Sequence, residues 1–386
     1  MRFLVLGAGM MGSAVAYDLA MASPDNTVLL ADINEEAART TARAIGPTVL
    51  PQKLDVNDSA ALAALLKGCN VVVSAVSYSV NERITRAAIE AGVHMCDLGG
   101  NNAVVDRQMV MDAKAKDRNV TVLPNCGLAP GLINILAAAG MESFDTVDAI
   151  ALRVGGLPRN PRPPLNYQIV FSAEGLLNEY IEPAEILDGG ELQTVPSMTG
   201  LEELDFPAPY GRLEAFYTSG GLSTLTRTMH RKVRRLDYKT IRYPGHCERF
   251  RMLLDLGFAT SEPILNAGGS VRTSRELFTE LLKRRLNDDG PDVVLARATL
   301  TGMKNARKQT LVYECVDVYD EETRMTAMMR TTAFPTSIAA ILLAEGRITR
   351  RGVFPPEECV PGTIMIAELR KRGIIISTQI SQENTP

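Results

Sequence analysis

Histidine is scarce in this chain of 386 residues. Only His94, His230 and His246 occur, no two of them four apart, so a histidine-built metal site has nothing to assemble from. The six cysteines (Cys69, Cys96, Cys126, Cys247, Cys315 and Cys359) show no C-x-x-C spacing, which removes a zinc or dithiol motif and leaves reduced thiols as the expectation. An excess of one charge is lacking too: 41 Lys and Arg stand against 45 Asp and Glu, and a net charge of -4 provides no field for nucleic acid. No uninterrupted apolar run of about 18 residues occurs, and Ile338 to Ala344 is too short to cross a bilayer. The start, Met1 to Leu6, turns straight into glycines without the long apolar core of a secretion signal. These absences lead us to expect a soluble, cytoplasmic protein that holds no metal, binds neither nucleic acid nor membrane, and acts on a small molecule.

What is present is periodic. From Met1 to about Asn125, short β-branched runs alternate with amphipathic stretches, the pattern of strands and crossover helices in a doubly wound α/β domain with a parallel sheet. The strands are expected at Phe3 to Leu6, Val28 to Ala31, Val49 to Leu54, Val71 to Val76, His94 to Leu98 and Val120 to Leu123. Asn34 is placed to cap a helix running to Gly46, and Ser79 to Glu82 reads as a capping box for a helix ending at Gly92. Beyond Pro130 prolines cluster at Pro158, Pro161, Pro163 and Pro164, and glycine turns follow, so a boundary is expected near residue 126. Val293 to Thr301 and Thr310 to Val318 read as paired strands, with a helix over Ser274 to Leu286, in a second α+β domain on a mixed or antiparallel sheet. The expected division is 1–125 for the first domain, 126–330 for the second, and 331–378 as helices returning to the first. Those returning helices are read at Ile338 to Glu345 and Ile364 to Lys371, the polar tail Gln379 to Pro386 is expected to be disordered, and the paired strands offer a surface for a homo-oligomer.

The loop Gly7-Ala8-Gly9-Met10-Met11-Gly12 fits G-x-G-x-x-G, a weak signal alone. Here it follows a strand, opens a helix and is trailed about 20 residues on by Asp32, which makes it a dinucleotide site. Gly7 permits the tight turn, Gly9 lets backbone approach a pyrophosphate, Gly12 lets helix pack on strand, and the amides of Met10 and Met11 face the anion. Asp32 suits the ribose hydroxyls of NAD and repels a 2'-phosphate, and Ile33 and Asn34 follow it where an arginine would be needed to accept one. Asp55, Val56, Ala75 and Val76 lie at carboxyl ends of strands and are expected to flank adenine and ribose.

Longer motifs carry a resemblance. Asp97-Leu98-Gly99-Gly100, Pro124-Asn125-Cys126-Gly127-Leu128-Ala129-Pro130-Gly131, Phe171-Ser172-Ala173-Glu174-Gly175, Glu214-Ala215-Phe216-Tyr217-Thr218 and Arg242-Tyr243-Pro244-Gly245-His246 occur in order. Through them the chain resembles the saccharopine dehydrogenase-like family, and within it the lysine 6-dehydrogenase branch. The resemblance implies NAD-dependent oxidative deamination at C6 of L-lysine: hydride leaves for the nicotinamide, water attacks the imine, ammonia departs, and the semialdehyde cyclises to piperideine-6-carboxylate. Saccharopine reductases of this family usually carry aspartate where Ala129 stands, a departure that counts against saccharopine without excluding it. Two other readings stay open, a saccharopine-type or carboxylated-polyamine dehydrogenase and a non-catalytic NAD-sensing module.

The reaction needs a clamp for the α-carboxylate, a partner for the α-amino group and a proton acceptor for an amine of pKa about 10.4. Arg242 is the first choice for the clamp, because a planar guanidinium binds carboxylate in two-pronged fashion, with Arg227, Arg234 and Arg235 as rivals and a structural salt bridge as the alternative. Asp97 is read either as meeting the substrate ammonium or as capping the next helix, and His246 either as a proton acceptor or as a structural histidine. Tyr78 is a further catalytic candidate, and Asn125, Tyr167, Glu174 and Thr218 are candidates to line the substrate, each with packing as the alternative. Cys126 has no base or oxyanion group beside it in the sequence and reads as buried lining.

Overall fold

The computed structural model describes residues 1–170, 172–265, 271–286 and 290–382. The chain divides into two compact units. The first is Met1–Ser143, Ser223–Thr228 and Met329–Ile376, and the second Phe144–Leu222, Met229–Met328 and Ser377–Pro386. The boundary therefore lies past 126, at 143. The helix Leu132–Met141 buries Leu132, Ile133, Ile135 and Leu136, and so many apolar contacts tie it to the first unit's core.

In the first unit, β1 (Arg2–Leu6), β2 (Thr27–Asp32), β3 (Val49–Lys53), β4 (Val71–Ser74), β5 (His94–Asp97) and β6 (Thr121–Leu123) pair in parallel, and Gly352–Val353 adds a seventh strand beyond β6. The order is β6-β5-β4-β1-β2-β3, reversing direction about β1, where ligands of doubly wound sheets bind. Phe3, Leu4, Val5 and Leu6 have no exposed surface, as a parallel strand covered on both faces requires. Asn34 caps Glu35–Ile45 by accepting from the Ala37 amide, and Gly46 ends it with φ 135°. The capping box at Ser79 does not form: Ser77 caps a 3-10 turn over Tyr78–Val80, and the helix Asn81–Ala91 continues from that turn without a side-chain cap.

The helix expected at Ile338 to Glu345 is longer, Ala327–Ala344, because Asp292 accepts from the Ala327 and Met328 amides at 2.6 and 3.0 Å and so starts it a few turns earlier. Among the described residues it is the one helix long and apolar enough to cross a membrane, and 72% of it is buried inside the protein, as a core helix is.

The second unit is built on a mixed sheet ordered Glu202–Phe206, Gly211–Tyr217, Arg235–Arg242, Thr146–Pro158, Asp292–Lys304, Arg307–Val318 and Ile376–Gln382, with Ala184–Asp188 and Glu191–Val195 branching from it. Its central pair, Arg235–Arg242 on Thr146–Pro158, is parallel, and the long hairpin Asp292–Lys304 to Arg307–Val318 continues it antiparallel. The polar tail is corrected as far as Gln382: it is an edge strand, its backbone paired although most of its side chains are exposed. The last four residues lie outside the described ones. On the sheet sits an aromatic cluster of Tyr167, Tyr180, Phe216, Phe250 and Phe278.

Candidate active site

Each unit holds a candidate site. In the first, β1 is followed by Gly7, whose φ of 100° turns the chain and whose N–H donates to the Ala31 carbonyl at 2.8 Å. A side chain at Gly12 would put its Cβ 1.8 Å from the Gly7 carbonyl oxygen, so only glycine lets the helix Met10–Ala22 approach the strand. At Gly9, by contrast, a Cβ would meet nothing within 4 Å, and the helix has no side-chain cap, so its first amides face open space. That geometry fits a dinucleotide pyrophosphate.

Asp32 is half-buried at the end of β2. One oxygen accepts from the Ala8 amide at 2.7 Å and the other from the Asn34 amide at 2.8 Å, which fixes its orientation beside the loop. Ile33 is 66% exposed, an apolar surface for a purine. Lys53 on β3 lies in register with Asp32, a cation that the residues following Asp32 do not reveal. Ala75 and Val76 pack beneath Gly7, while Asp55 is exposed and organises its own turn through Asn57, with Val56 packed on the core.

Asp97 is corrected. It has no exposed surface; Oδ1 accepts from the Gly99 and Asn125 amides at 2.8 and 3.0 Å, and Oδ2 accepts from Gln108 Nε2 at 2.7 Å. Burial raises its carboxyl and these donors oppose the rise. The carboxylate is spent on joining the loops after β5 and β6, and the helix beyond it is capped by Asn101 instead. Asn125, at φ 64°, donates to Ser223 Oγ at 2.9 Å and leaves its buried Oδ1 unpartnered. Tyr78 is half-buried with its ring against Gly100.

In the second unit, Arg242 ends a central strand and is 2% exposed. Nε donates to the Tyr180 hydroxyl at 2.7 Å and Nη1 to the Ile241 carbonyl at 2.9 Å, and the guanidinium carbon lies 4.5 Å over the Tyr167 ring and 5.7 Å from that of Tyr180. The other buried cations of this sheet have carboxylates: Arg153 pairs with Glu202 and Asp237, and Lys239 with Glu202. Arg242 has none. Glu214, directly across the strand pair, spends its oxygens on the amides of Gly245 and Cys247 at 2.7 and 2.6 Å. A buried charge without a counter-ion is costly, and such costs concentrate where a ligand supplies the missing charge.

Around it, the Tyr167 hydroxyl is buried without a partner, and burial pushes it up to about 12. His246 is corrected as a proton acceptor. Its Nδ1 faces the Leu165 carbonyl at 2.9 Å and must donate, so Nε2 accepts from the Tyr180 hydroxyl at 3.0 Å, and burial beside Arg242 lowers it to about 3. It is a neutral orienter of Tyr180. Glu174 is corrected too: it is an exposed partner of Lys283 at 2.6 Å. Thr218 is buried against Thr240, Oγ to Oγ 2.7 Å. Phe171 lies outside the described residues. The rival arginines are on the surface, Arg227 with Asp106 and Arg235 with Asp188.

Glu179 is the residue that sequence reasoning missed. It precedes Tyr180 on the helix Ala173–Ile181, is half-buried, has no side-chain hydrogen bond, and burial pushes its carboxyl up to about 7 while Arg242 pulls the other way. Its only sequence signal is its place next to a tyrosine in a core stripe of Leu176, Leu177 and Tyr180. A cavity of about 690 Å³ in this unit, mostly apolar and edged by Arg162, Arg249 and Arg285, meets the cluster through Tyr167 and does not include Arg242.

Residues 3–123 match the saccharopine dehydrogenase NADP binding domain and residues 127–374 the saccharopine dehydrogenase C-terminal domain. The chain is 26% identical over 220 residues to saccharopine dehydrogenase (NADP(+), L-glutamate-forming) of Pyricularia oryzae, which covers 55% of this chain and 48% of that protein. It is 21% identical to carboxyaminopropylagmatine dehydrogenase of Synechocystis, over 97% of this chain and 96% of that one. It spans about half the length of the first of these relatives. The fold is that of the saccharopine dehydrogenase (L-Glu forming) structure from Saccharomyces cerevisiae, with a TM-score of 0.81 at 19% identity over 98% of this chain and 99% of that one. With these two domains matched in order along nearly its whole length, the chain belongs to the saccharopine dehydrogenase family.

Proposed function

We propose that this protein is an oxidoreductase acting on the amine-bearing carbon of an amino acid, and specifically that it catalyses NAD-dependent oxidative deamination of the 6-amino group of L-lysine. The observation that carries this reading is Arg242, a buried guanidinium held between two tyrosine rings and left without a carboxylate among the described residues. A substrate carboxylate supplies what the fold withholds, and the flat fork of Arg242 takes it in two-pronged geometry. The glycine loop and Asp32 hold the dinucleotide, which when bound provides the hydride acceptor. Asp32 favours NAD. The family's NADP binding description and Lys53 in register with Asp32 favour the phosphorylated cofactor instead, so both belong in the assay.

A second reading rests on the relatives: a secondary amine with a carboxylated second arm, as in saccharopine, or a carboxylated polyamine. Substrate-dependent reduction of NAD and NADP, measured at alkaline pH with L-lysine, saccharopine and a carboxylated polyamine, separates the readings. Lysine-dependent NADH formation is the expected result. Reduction with saccharopine alone selects the second reading, and no reduction with any amine selects a cofactor-sensing module.

A further inference from the structure

An amino acid head carries two opposite charges on neighbouring atoms, so a site that recognises it needs an anion and a cation that are close but not already neutralising one another. Ion pairs on this sheet are ordinarily closed, as at Arg153 with Asp237 at 3.1 Å and Lys239 with Glu202 at 2.5 Å. Arg242 and Glu179 are the exception: Arg242 is buried and Glu179 half-buried, and among the described residues no ion pair closes between them and neither has another ion-pair partner. The fold ties the backbone of Glu179 to the Arg242 site. Tyr180, next to Glu179, bonds Arg242 Nε at 2.7 Å, and the Glu179 carbonyl accepts from the Ser219 amide at 3.0 Å, anchoring the helix end to the loop after Gly211–Tyr217.

We propose that Glu179 and Arg242 form one head-group subsite for an α-amino acid, Arg242 taking the carboxylate and Glu179 the α-ammonium, so that Glu179 decides for amino acids against simple acids and simple amines. The inference rests on the reading of Arg242 as a carboxylate clamp and adds the second charge. Arg242, Tyr167, Tyr180 and Tyr238 all feel the Glu179 charge, His246 is neutral with Arg249 acting on it, the Cys247 thiol is pushed up to about 11 by burial, and Arg275 bonds Asn178 beside Glu179. With its carboxyl raised to about 7, Glu179 ionises as pH rises through neutrality, so the ammonium subsite strengthens in that direction.

The test is calorimetric titration of the full chain with three non-reacting or reacting probes: L-norleucine, which keeps the head and lacks the 6-amino group, hexanoate, which keeps only the carboxylate, and L-lysine. L-Norleucine is expected to bind at least about 10-fold more tightly than hexanoate, with the gap widening between pH 6 and 8. Glu179→Gln is expected to bring the two within about 2-fold and to abolish that pH dependence, while Glu179→Asp keeps part of the preference and guards against a folding defect. A gap that survives in Glu179→Gln, or no gap in the wild type, overturns the assignment of Glu179 and leaves the clamp standing. Hexanoate binding that is unchanged in Arg242→Gln, or no binding of any probe, overturns the clamp and the subsite together.

Discussion

Asp97 in the first unit and Arg242 in the second are both almost wholly removed from water, yet the fold treats them in opposite ways. Asp97 receives three hydrogen bonds from Gly99, Asn125 and Gln108, and its charge is consumed in joining two loops. Arg242 has two neutral acceptors and two aromatic faces and, among the described residues, no carboxylate. A closed network of the first kind builds structure. An open one of the second kind costs stability and is retained where a ligand completes it. The difference teaches that burial alone does not mark a functional charge; the count of unmet partners does.

The largest expected effect breaks the comparison on the open side. Arg242→Gln is expected to lower kcat/KM for the amine substrate on the order of 10³-fold, equivalent to about 4 kcal/mol, with cofactor affinity unchanged. Steady-state kinetics with a parallel cofactor titration check it, and equal turnover removes the clamp. On the closed side, Asp97→Ala strands three donors, two of them buried, and is expected to cost about 3 kcal/mol of folding stability. Urea unfolding measures it; a variant of native stability that has lost only turnover would move Asp97 into the chemistry and erase the contrast.

Gly12→Ala comes next. Its Cβ would lie 1.8 Å from the Gly7 oxygen, so the loop must open, at an overpacking cost of about 2 to 3 kcal/mol. Weakened NADH binding by fluorescence titration, beside intact L-norleucine binding by calorimetry, would confine the damage to the first unit.

The smallest effect concerns Glu357, buried in the first unit, whose Oε1 accepts from Thr224 at 2.7 Å and whose Oε2 is unpartnered, with burial pushing the carboxyl up to about 7. A carboxyl raised in the folded state favours folding while protonated, so its contribution is present at low pH and is lost as pH rises from about 4.5 through 7. Glu357→Gln should therefore match the wild type near pH 4 and exceed it by about 2 kcal/mol at pH 8. Thermal melts across that range check the sign, and a constant difference at every pH would contradict it.

Much of the first unit was legible because its signals are local. Strand, glycine turn, helix and Asp32 follow one another within 32 residues, and Asn34 and Gly46 mark a helix by their own chemistry. The capping box shows the limit of such signals: Ser77, two residues earlier, takes the Ser79 amide that the box would have used. The second unit was legible in its long hairpin but not in its cluster. Tyr180 meets Arg242 across 62 residues and His246 across 66, and no spacing rule predicts which of many tyrosines and glutamates a fold will bring to one arginine.

The sequence by itself therefore determined the parallel sheet, the dinucleotide loop and the identity of Arg242 as the arginine to watch, since periodicity, glycine and carboxylate act over a few residues. Tertiary structure alone decided that Asp97 and His246 are spent on holding the fold, and that Glu179, next to the tyrosine that bonds Arg242, forms no ion pair among the described residues. Whether a charge is satisfied depends on partners distant in sequence, and only the packed chain brings those partners together or keeps them apart.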